Sequence, residues 1–367
     1  MVAFTDLRYD YRIFRETRSL VEAGHRVTLI STLFHRGPAP AWDGVVTRGI
    51  PIDRRRSLRL SYPAFWRQAT RQLAEAAPDA CHAHDLDALL PAVRVARQRG
   101  LPLIYDSHEL WTEQASLRGR PHIRAIWMLL ERFLIRSVNR TITVSPSIAE
   151  ELQRRYRLSR VCLVRNLPPY QPPVSSHRLR EALSLDPARP VVLYQGGFLP
   201  GNGLPELILA APGFGGAALV LLGDGPEEDR LHRLVEAHRL GDTVYFHPRV
   251  PFAELHACTC SADLGVCLFT GTARSSAYAL PNKLFEYLMA GLPVLASDLP
   301  EMRRVVLEAK AGLVVNPLDG ARVARAVVEM LADQDQRAQW RQAALAAARQ
   351  YCWEAEAHHL TALYASL

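Results

Sequence analysis

Leu280-Pro281-Asn282-Lys283-Leu284-Phe285-Glu286-Tyr287-Leu288-Met289-Ala290-Gly291-Leu292-Pro293-Val294-Leu295-Ala296-Ser297 decides the fold. It reads as a helix with Pro281 in its first turn, a Gly-Pro break, and a short apolar strand. Pro is tolerated at a helix start because the first N–H groups have no intrahelical partner. Those groups, with the positive end of the helix dipole, make an anion site. Lys283 adds a full charge in the same turn. Glu286 stands one turn further on, within reach of the hydroxyls of a ligand held by its phosphates.

Around this stretch, short apolar strands alternate with helices. Strands are expected at 1–5, 26–30, 80–83, 103–106, 141–144 and 161–164, with helices at 12–23, 63–76, 86–99, 123–138 and 146–156. Pro168-Pro169 and Pro172-Pro173 then mark a semi-rigid linker, since Pro fits neither a helix interior nor a central strand. The alternation restarts with strands at 191–195, 218–222, 243–247, 264–268 and 294–296. Helices are expected at 204–211, 227–239, 252–257 and 283–290, and the tail from about 321 is helical. The pattern predicts an α/β protein of two doubly wound, Rossmann-like domains. The divisions are 1–170 for the acceptor side, 171–345 for the donor, and a C-terminal helix at 346–367 packing back toward the first domain. Such domains place a ligand cleft at the carboxyl ends of their strands.

Composition narrows the function. No apolar run is long enough to span a bilayer, and Met1 to Asp10 lacks the pattern of a signal peptide. Six scattered cysteines without a CxxC pair suit reduced thiols, so a cytoplasmic location is expected. Up to Tyr170 there are 27 arginines against 16 acids; from Gln171 on, 17 basic residues face 21 acids. The basic half suits an acidic substrate, or peripheral contact with the anionic inner face of the cell membrane. No nucleic-acid-binding motif accompanies it. Two segments could meet lipid: Arg54 to Arg67, which mixes arginine with aromatics, and 123–136. In the second, Ile126, Trp127, Leu130 and Leu134 form one stripe, with Arg124, Arg132 and Arg136 elsewhere. Each is either an interfacial helix or a core helix with a solvated basic face.

The second half resembles the donor domain of GT-B glycosyltransferases, in particular the large retaining family 4 (glycosyl transferases group 1). Five pieces carry this in order: Val191 to Gly197, Leu219 to Pro226, Asp242 to Val250, Cys260 to Val266, and the opening stretch. In the first half Asp10-Tyr11-Arg12, Gly24-His25, His82-Ala83-His84-Asp85, Tyr105-Asp106-Ser107-His108-Glu109 and Arg165-Asn166 are similar to the family's strand-end motifs. The resemblance implies a nucleoside-diphosphate sugar as donor and an unidentified acceptor. Lys283 would hold the diphosphate and Glu286 the ribose, with Gly196, Gly197, Gly223, Asp224, Arg249, Val250, Pro281 and Asn282 around the donor. Each glycine turn is either a close approach to ligand or a tight turn only; Arg249 faces either the base edge or solvent. His108 is the expected catalytic residue near the anomeric carbon, with Asp85 beside it. Asp10, Arg12 and Glu109 lie on the acceptor side.

Two positions depart from the family. Tyr278 stands where a second acid is usual, and Asn202 where a cation is usual, which leaves Arg274 to supply charge. No cofactor or metal is expected. Asp85-Leu86-Asp87 opens a helix, where acids favour the dipole, and His82 and His84 share a strand face without an evident third ligand. The expected activity is metal-independent sugar transfer with retention. The alternatives are a nucleotide-sugar epimerase and a catalytically silent nucleotide-sugar-binding subunit.

Overall fold

The computed structural model describes all residues except 35–38 and 53–57, so Arg54, Arg55 and Arg56 of the first basic segment lie outside the described residues. The chain divides into two units, Met1–Asn166 with Glu356–Leu367, and Leu167–Ala355. The division falls just before the Pro168-Pro169 pair. The segment that returns to the first unit starts at Glu356, within the helix Trp353–Ala365, and 346–355 belong to the second unit.

The first unit is built on a seven-stranded sheet: β1 (Val2–Ala3), β2 (Val27–Leu33), β3 (Val45–Pro51), β4 (Cys81–His84), β5 (Leu103–Ser107), β6 (Arg140–Thr143) and β7 (Cys162–Leu163). Their order is β3-β2-β1-β4-β5-β6-β7, all parallel. The strand order reverses between β1 and β4. At such a switch point the loops diverge and leave room for a ligand. Asp10, Asp85, His108 and Glu109 all follow the carboxyl ends of β1, β4 or β5.

Within this unit the helix Pro121–Leu134 turns Trp127, Leu130 and Leu134 onto the core. Ile126 does not join them; it is 64% exposed. The stripe expected from the sequence is therefore split. The returning tail is fixed by Glu356, whose carboxylate accepts from the Arg165 backbone N–H at 2.7 Å and from its Nε at 2.9 Å.

The second unit has β8 (Val191–Gln195), β9 (Ala218–Leu222), β10 (Val244–His247), β11 (Leu264–Cys267), β12 (Val294–Ser297) and β13 (Gly312–Val315), in the order β10-β9-β8-β11-β12-β13. Its ladders are all parallel too. β8, β9, β11 and β12 are buried throughout, which explains their unbroken apolar sequences. The helix Asn282–Ala290 crosses this sheet at its switch point between β8 and β11. Tyr287 seats it: its hydroxyl lies 3.1 Å from Leu193 O and 3.2 Å from Val266 O, and accepts from Gln195 N at 3.1 Å. Gly265 in β11 makes the space, since a Cβ there would stand 2.4 Å from the Tyr287 ring. Tyr287→Phe keeps the ring and strands the Gln195 N–H. It should cost about 1–3 kcal/mol, read from urea unfolding with a ligand-free sample. An unchanged midpoint would remove the hydroxyl from this account.

Candidate functional site

In the second unit, the loops after β8 and β9 interlock. Gly196 N donates to Leu222 O at 2.9 Å and Phe198 N donates to Asp224 O at 2.7 Å. A Cβ on Gly223 would lie 2.0 Å from Gly196 O, and one on Gly225 2.6 Å from Phe198 O. Both residues have positive φ, 152° and 157°. These glycines are demanded by loop packing. Asn202 is buried, and its amide nitrogen donates to Tyr194 Oη and Gly197 O. It therefore stitches the loop together from inside.

The helix Asn282–Ala290 begins beside these loops. Pro281 is its N-cap and offers no side-chain bond to the first turn. Lys283 is only 7% exposed. Its Nζ lies 3.7 Å from the centroid of the Tyr194 ring and 5.5 Å from that of Phe269. Gly196, at φ 118°, leaves room for it; a Cβ would stand 3.3 Å from Lys283 Cε. Among the described residues, no carboxylate pairs with Lys283. Glu286 is half-buried and oriented by Gln195, whose amide donates to Oε2 at 2.5 Å. Thr259 Oγ1 in turn donates to Gln195 Oε1. Arg249 and Asp224 are 67% and 53% exposed and 3.9 Å apart. Val250 and Tyr278 are half-buried, while Arg274 and Asn282 are exposed, each at the first position of a helix.

The first unit concentrates charge at its switch point. His108 N donates to Asp85 Oδ1 at 2.9 Å, and His108 Nδ1 lies 3.5 Å from Asp85 Oδ2. His108 Nε2 is 3.1 Å from Asp106 Oδ2. Burial opposes charge on this ring, but the carboxylates of Asp85 and Asp106 outweigh it and push His108 up to about 10. Burial pushes Asp85 up to about 7, against the pull of His108. Asp85 also carries φ 61°, ψ 170°, a region costing a non-glycine residue about 1–3 kcal/mol. Strain of this kind gathers where a side chain must be aimed. Asp87, in the first turn of the helix Leu86–Arg99, is buried and raised well above the usual carboxyl range by burial.

Arg12 does not reach toward solvent. It is buried, grips Asp106 at 2.9 Å through Nη2, lies 2.9 Å from Glu16, and donates to Val164 O. Asp10 caps the helix Tyr11–Glu22 by accepting from Ile13 N. Glu109 is half-buried and accepts from Gln114 Nε2.

Beside His82 and His84, for which the sequence shows no third ligand, the fold places the carboxylates of Glu16 and Asp106. One ligand atom from each of the four lies within 4.8 Å of the others, and all four are buried. Arg12 already supplies their counter-charge. Asp106 is held well below its usual range, burial being outweighed by Arg12 and His108. Burial pushes Glu16 up to about 8 despite Arg12. A divalent cation would have to displace the guanidinium or share its ligands. Glu16 is signalled in sequence only by its i, i+4 spacing from Arg12. Gln195 and Tyr194 sit in the strand that precedes the Gly196-Gly197 turn.

Two family models match the chain: Glycosyltransferase Family 4 over residues 11–167 and Glycosyl transferases group 1 over residues 175–346. The chain is 32% identical over 192 residues to the GDP-mannose-dependent alpha-(1-6)-phosphatidylinositol monomannoside mannosyltransferase of Mycobacterium tuberculosis, covering 48% of this chain and 50% of that protein. It is 26% identical over 270 residues to glycogen synthase of the same organism, covering 70% and 61%. The chain thus spans about half the length of the first of these relatives. Sucrose-phosphate synthase from Thermosynechococcus elongatus superimposes with a TM-score of 0.83 at 20% identity, covering 100% of this chain and 98% of that one. Anabaena HepE in complex with UDP gives 0.76 at 16%, covering 100% and 99%. At these identities the likeness is one of fold.

Because His108 holds a proton in the folded unit that the unfolded chain releases from pH 6.5 upward, its contribution is complete below that value. It is lost as pH rises toward 10. The stability advantage of the wild type over His108→Gln should therefore shrink between pH 7 and pH 10, measured by urea unfolding at each pH. A difference independent of pH would contradict the charged imidazolium.

Proposed function

The chain belongs to the family 4, group 1 glycosyltransferases, and from that premise we propose that it moves a sugar from a nucleoside-diphosphate donor to an acceptor bound by its first unit. Transfer proceeds with retention and without a metal. The observation that carries this reading is Lys283. A buried ammonium facing two aromatic rings, with no carboxylate partner among the described residues, is costly unless an anion completes it. The amino end of its own helix supplies backbone N–H groups for the same anion. A diphosphate meets both requirements, and its negative charge grows as the sugar leaves, so the same groups stabilise the transition state more than the ground state. Glu286, braced by Gln195, takes the ribose hydroxyls. Arg274 is the second cation, since Asn202 is occupied within its loop.

In the first unit, the His108–Asp85 pair handles the acceptor side. Asp85, raised toward neutrality, and the imidazolium of His108 are suited to hydrogen-bond hydroxyls and to stabilise developing negative charge. The metal-independent reading is supported by the positive charges that both units already carry at these points.

Lys283→Ala should weaken binding of UDP, GDP and their sugars by about 10- to 100-fold, the worth of a charged hydrogen bond, as measured by calorimetry. The ligand-free variant should melt no lower than wild type, because an unpaired buried charge has been removed. Retained affinity for every nucleotide would sink the assignment. Transfer or donor hydrolysis should survive EDTA unchanged. Binding without turnover of any donor would identify the silent subunit instead.

A further inference from the structure

β4 carries two histidines, and neither reaches solvent: His82 and His84 are 1% and 2% exposed. Alternation along the strand puts both rings on one side of the sheet. The rings stack, with centroids 4.3 Å apart and planes at 24°. His84 in turn meets His108, Nδ1 to Nε2, at 3.2 Å. At the other end, His82 Nδ1 lies 2.7 Å from the hydroxyl of Tyr364, a contact across 282 residues. Tyr364 belongs to the C-terminal segment that returns to the first unit. A row of three imidazoles thus joins that segment to the histidine at the sheet's switch point.

The row admits one consistent arrangement of protons. Burial lowers His82 well below the usual imidazole range and His84 to about 4, so both rings are neutral. A neutral imidazole has one N–H and one acceptor nitrogen, and the partner of one nitrogen decides which is which. Burial keeps the Tyr364 hydroxyl protonated, so it donates to His82 Nδ1. The His82 proton is then on Nε2, the nitrogen 3.9 Å from Asp106 Oδ2. The other tautomer would turn a lone pair toward that carboxylate. His108 is charged, and its Nε2–H lies between Asp106 Oδ2 and His84 Nδ1. His84 Nδ1 therefore accepts, and the His84 proton is on Nε2. Stability does not call for such a row. Among the described residues, Nε2 of His82 and Nε2 of His84 have no hydrogen-bond partner, which is costly for buried polar atoms. Cys81 and Ala83, fully buried on the other side of the same strand, show what packing alone requires.

We propose that Tyr364 is a positioning residue for His108, acting through His82 and His84, a role that rests on the acceptor-side reading of His108. The Tyr364 hydroxyl fixes the His82 tautomer and ring. His82, stacked on His84, holds that ring in place. His84 then backs the imidazolium of His108, whose other contacts are the carboxylates of Asp106 and Asp85. The C-terminal segment thereby contributes to a site from which it is remote in sequence. Tyr364 itself touches none of the groups that would meet an acceptor; its effect is on which way the protons along the row face.

The test is Tyr364→Phe in the full chain, which keeps the ring and removes one O–H. It is read first by ring-nitrogen NMR of labelled histidine, with His82→Gln identifying the His82 signals. In wild type, His82 and His84 should each show one tautomer, protonated on Nε2. In Tyr364→Phe, the His82 signals should move to a mixture of tautomers, and those of His84 and His108 should shift with them. UDP and GDP affinity, set by the second unit, should match wild type. Donor turnover, as transfer or hydrolysis, should fall about tenfold in kcat with donor KM unchanged, the scale on which outer partners of a functional histidine act. In the His82→Gln background, Tyr364→Phe should add no further loss, because the connection is already cut. Unchanged His84 and His108 signals beside a lowered melting temperature would make Tyr364 a structural contact only and overturn the proposal. So would a loss in kcat that adds in full to that of His82→Gln. If wild type turns over no donor, the transfer reading falls, and the ring-nitrogen spectra still decide the role of Tyr364.

Discussion

The second unit depends on one hydroxyl placed between two strands. Tyr287 reaches β8 and β11 where their loops diverge, and Gly265 gives up its side chain so that the ring can enter. This fixes the helix Asn282–Ala290 in register with the end of β8. Lys283, one turn before, then has to lie against Tyr194, and Glu286 has to lie beside Gln195. Lys283 is thus positioned by packing at Tyr287, four residues away. The interlocked glycine turns contribute the other wall. Gly223 and Gly225 allow backbone to touch backbone, and Gly196 admits the lysine stem.

The two units treat buried charge in opposite ways. The first neutralises it internally: Arg12 faces Asp106 and Glu16, and His108 lies between Asp106 and Asp85. Asp106 keeps its charge because Arg12 and His108 outweigh its burial, whereas for Glu16 burial outweighs Arg12, and Asp106 adds to the rise. In the second unit, among the described residues, Lys283 faces aromatic rings and no carboxylate. Ring faces attract an ammonium, yet an exposed cation–π contact is worth only about 0.5–1 kcal/mol, and more when desolvated. That falls short of the several kcal/mol that removing an ion from water costs. The imbalance is tolerable if the folded unit is completed by an anion for much of its working life.

The sequence was most legible where burial was complete. β8, β9 and the helix Leu86–Arg99 have the bounds that apolar runs and caps suggest. The strands it did not disclose, β3 and β13, lie at sheet edges. An edge strand has one neighbour, so β3 can carry Thr47, Arg48 and Gly49 and lose its apolar signature. At the candidate site, charged residues at strand ends were visible, but their partners were not. Nothing local says that Arg12 turns inward to Asp106, a contact across 94 residues. Asn202 likewise looked like a weakened ligand contact, whereas its amide is bonded within its own loop. Ile126 was placed with Trp127, Leu130 and Leu134 because a helix with two apolar faces offers a single period, and periodicity alone cannot say which face the core takes.

The strained backbone of Asp85 links these themes. As N-cap of the helix Leu86–Arg99, it makes no side-chain bond to the helix. The carboxylate is instead turned to the backbone N–H and the ring of His108. A capping bond is worth about 1 kcal/mol, and the conformation adopted costs a similar amount or more. Both are given up to orient one carboxylate at one imidazole, 20% exposed, at the point where the first sheet reverses its strand order. Asp is itself a preferred N-cap in the extended conformation, so helix capping does not require that sacrifice. A positively charged ring held at a sheet's ligand-binding edge is a reason for it.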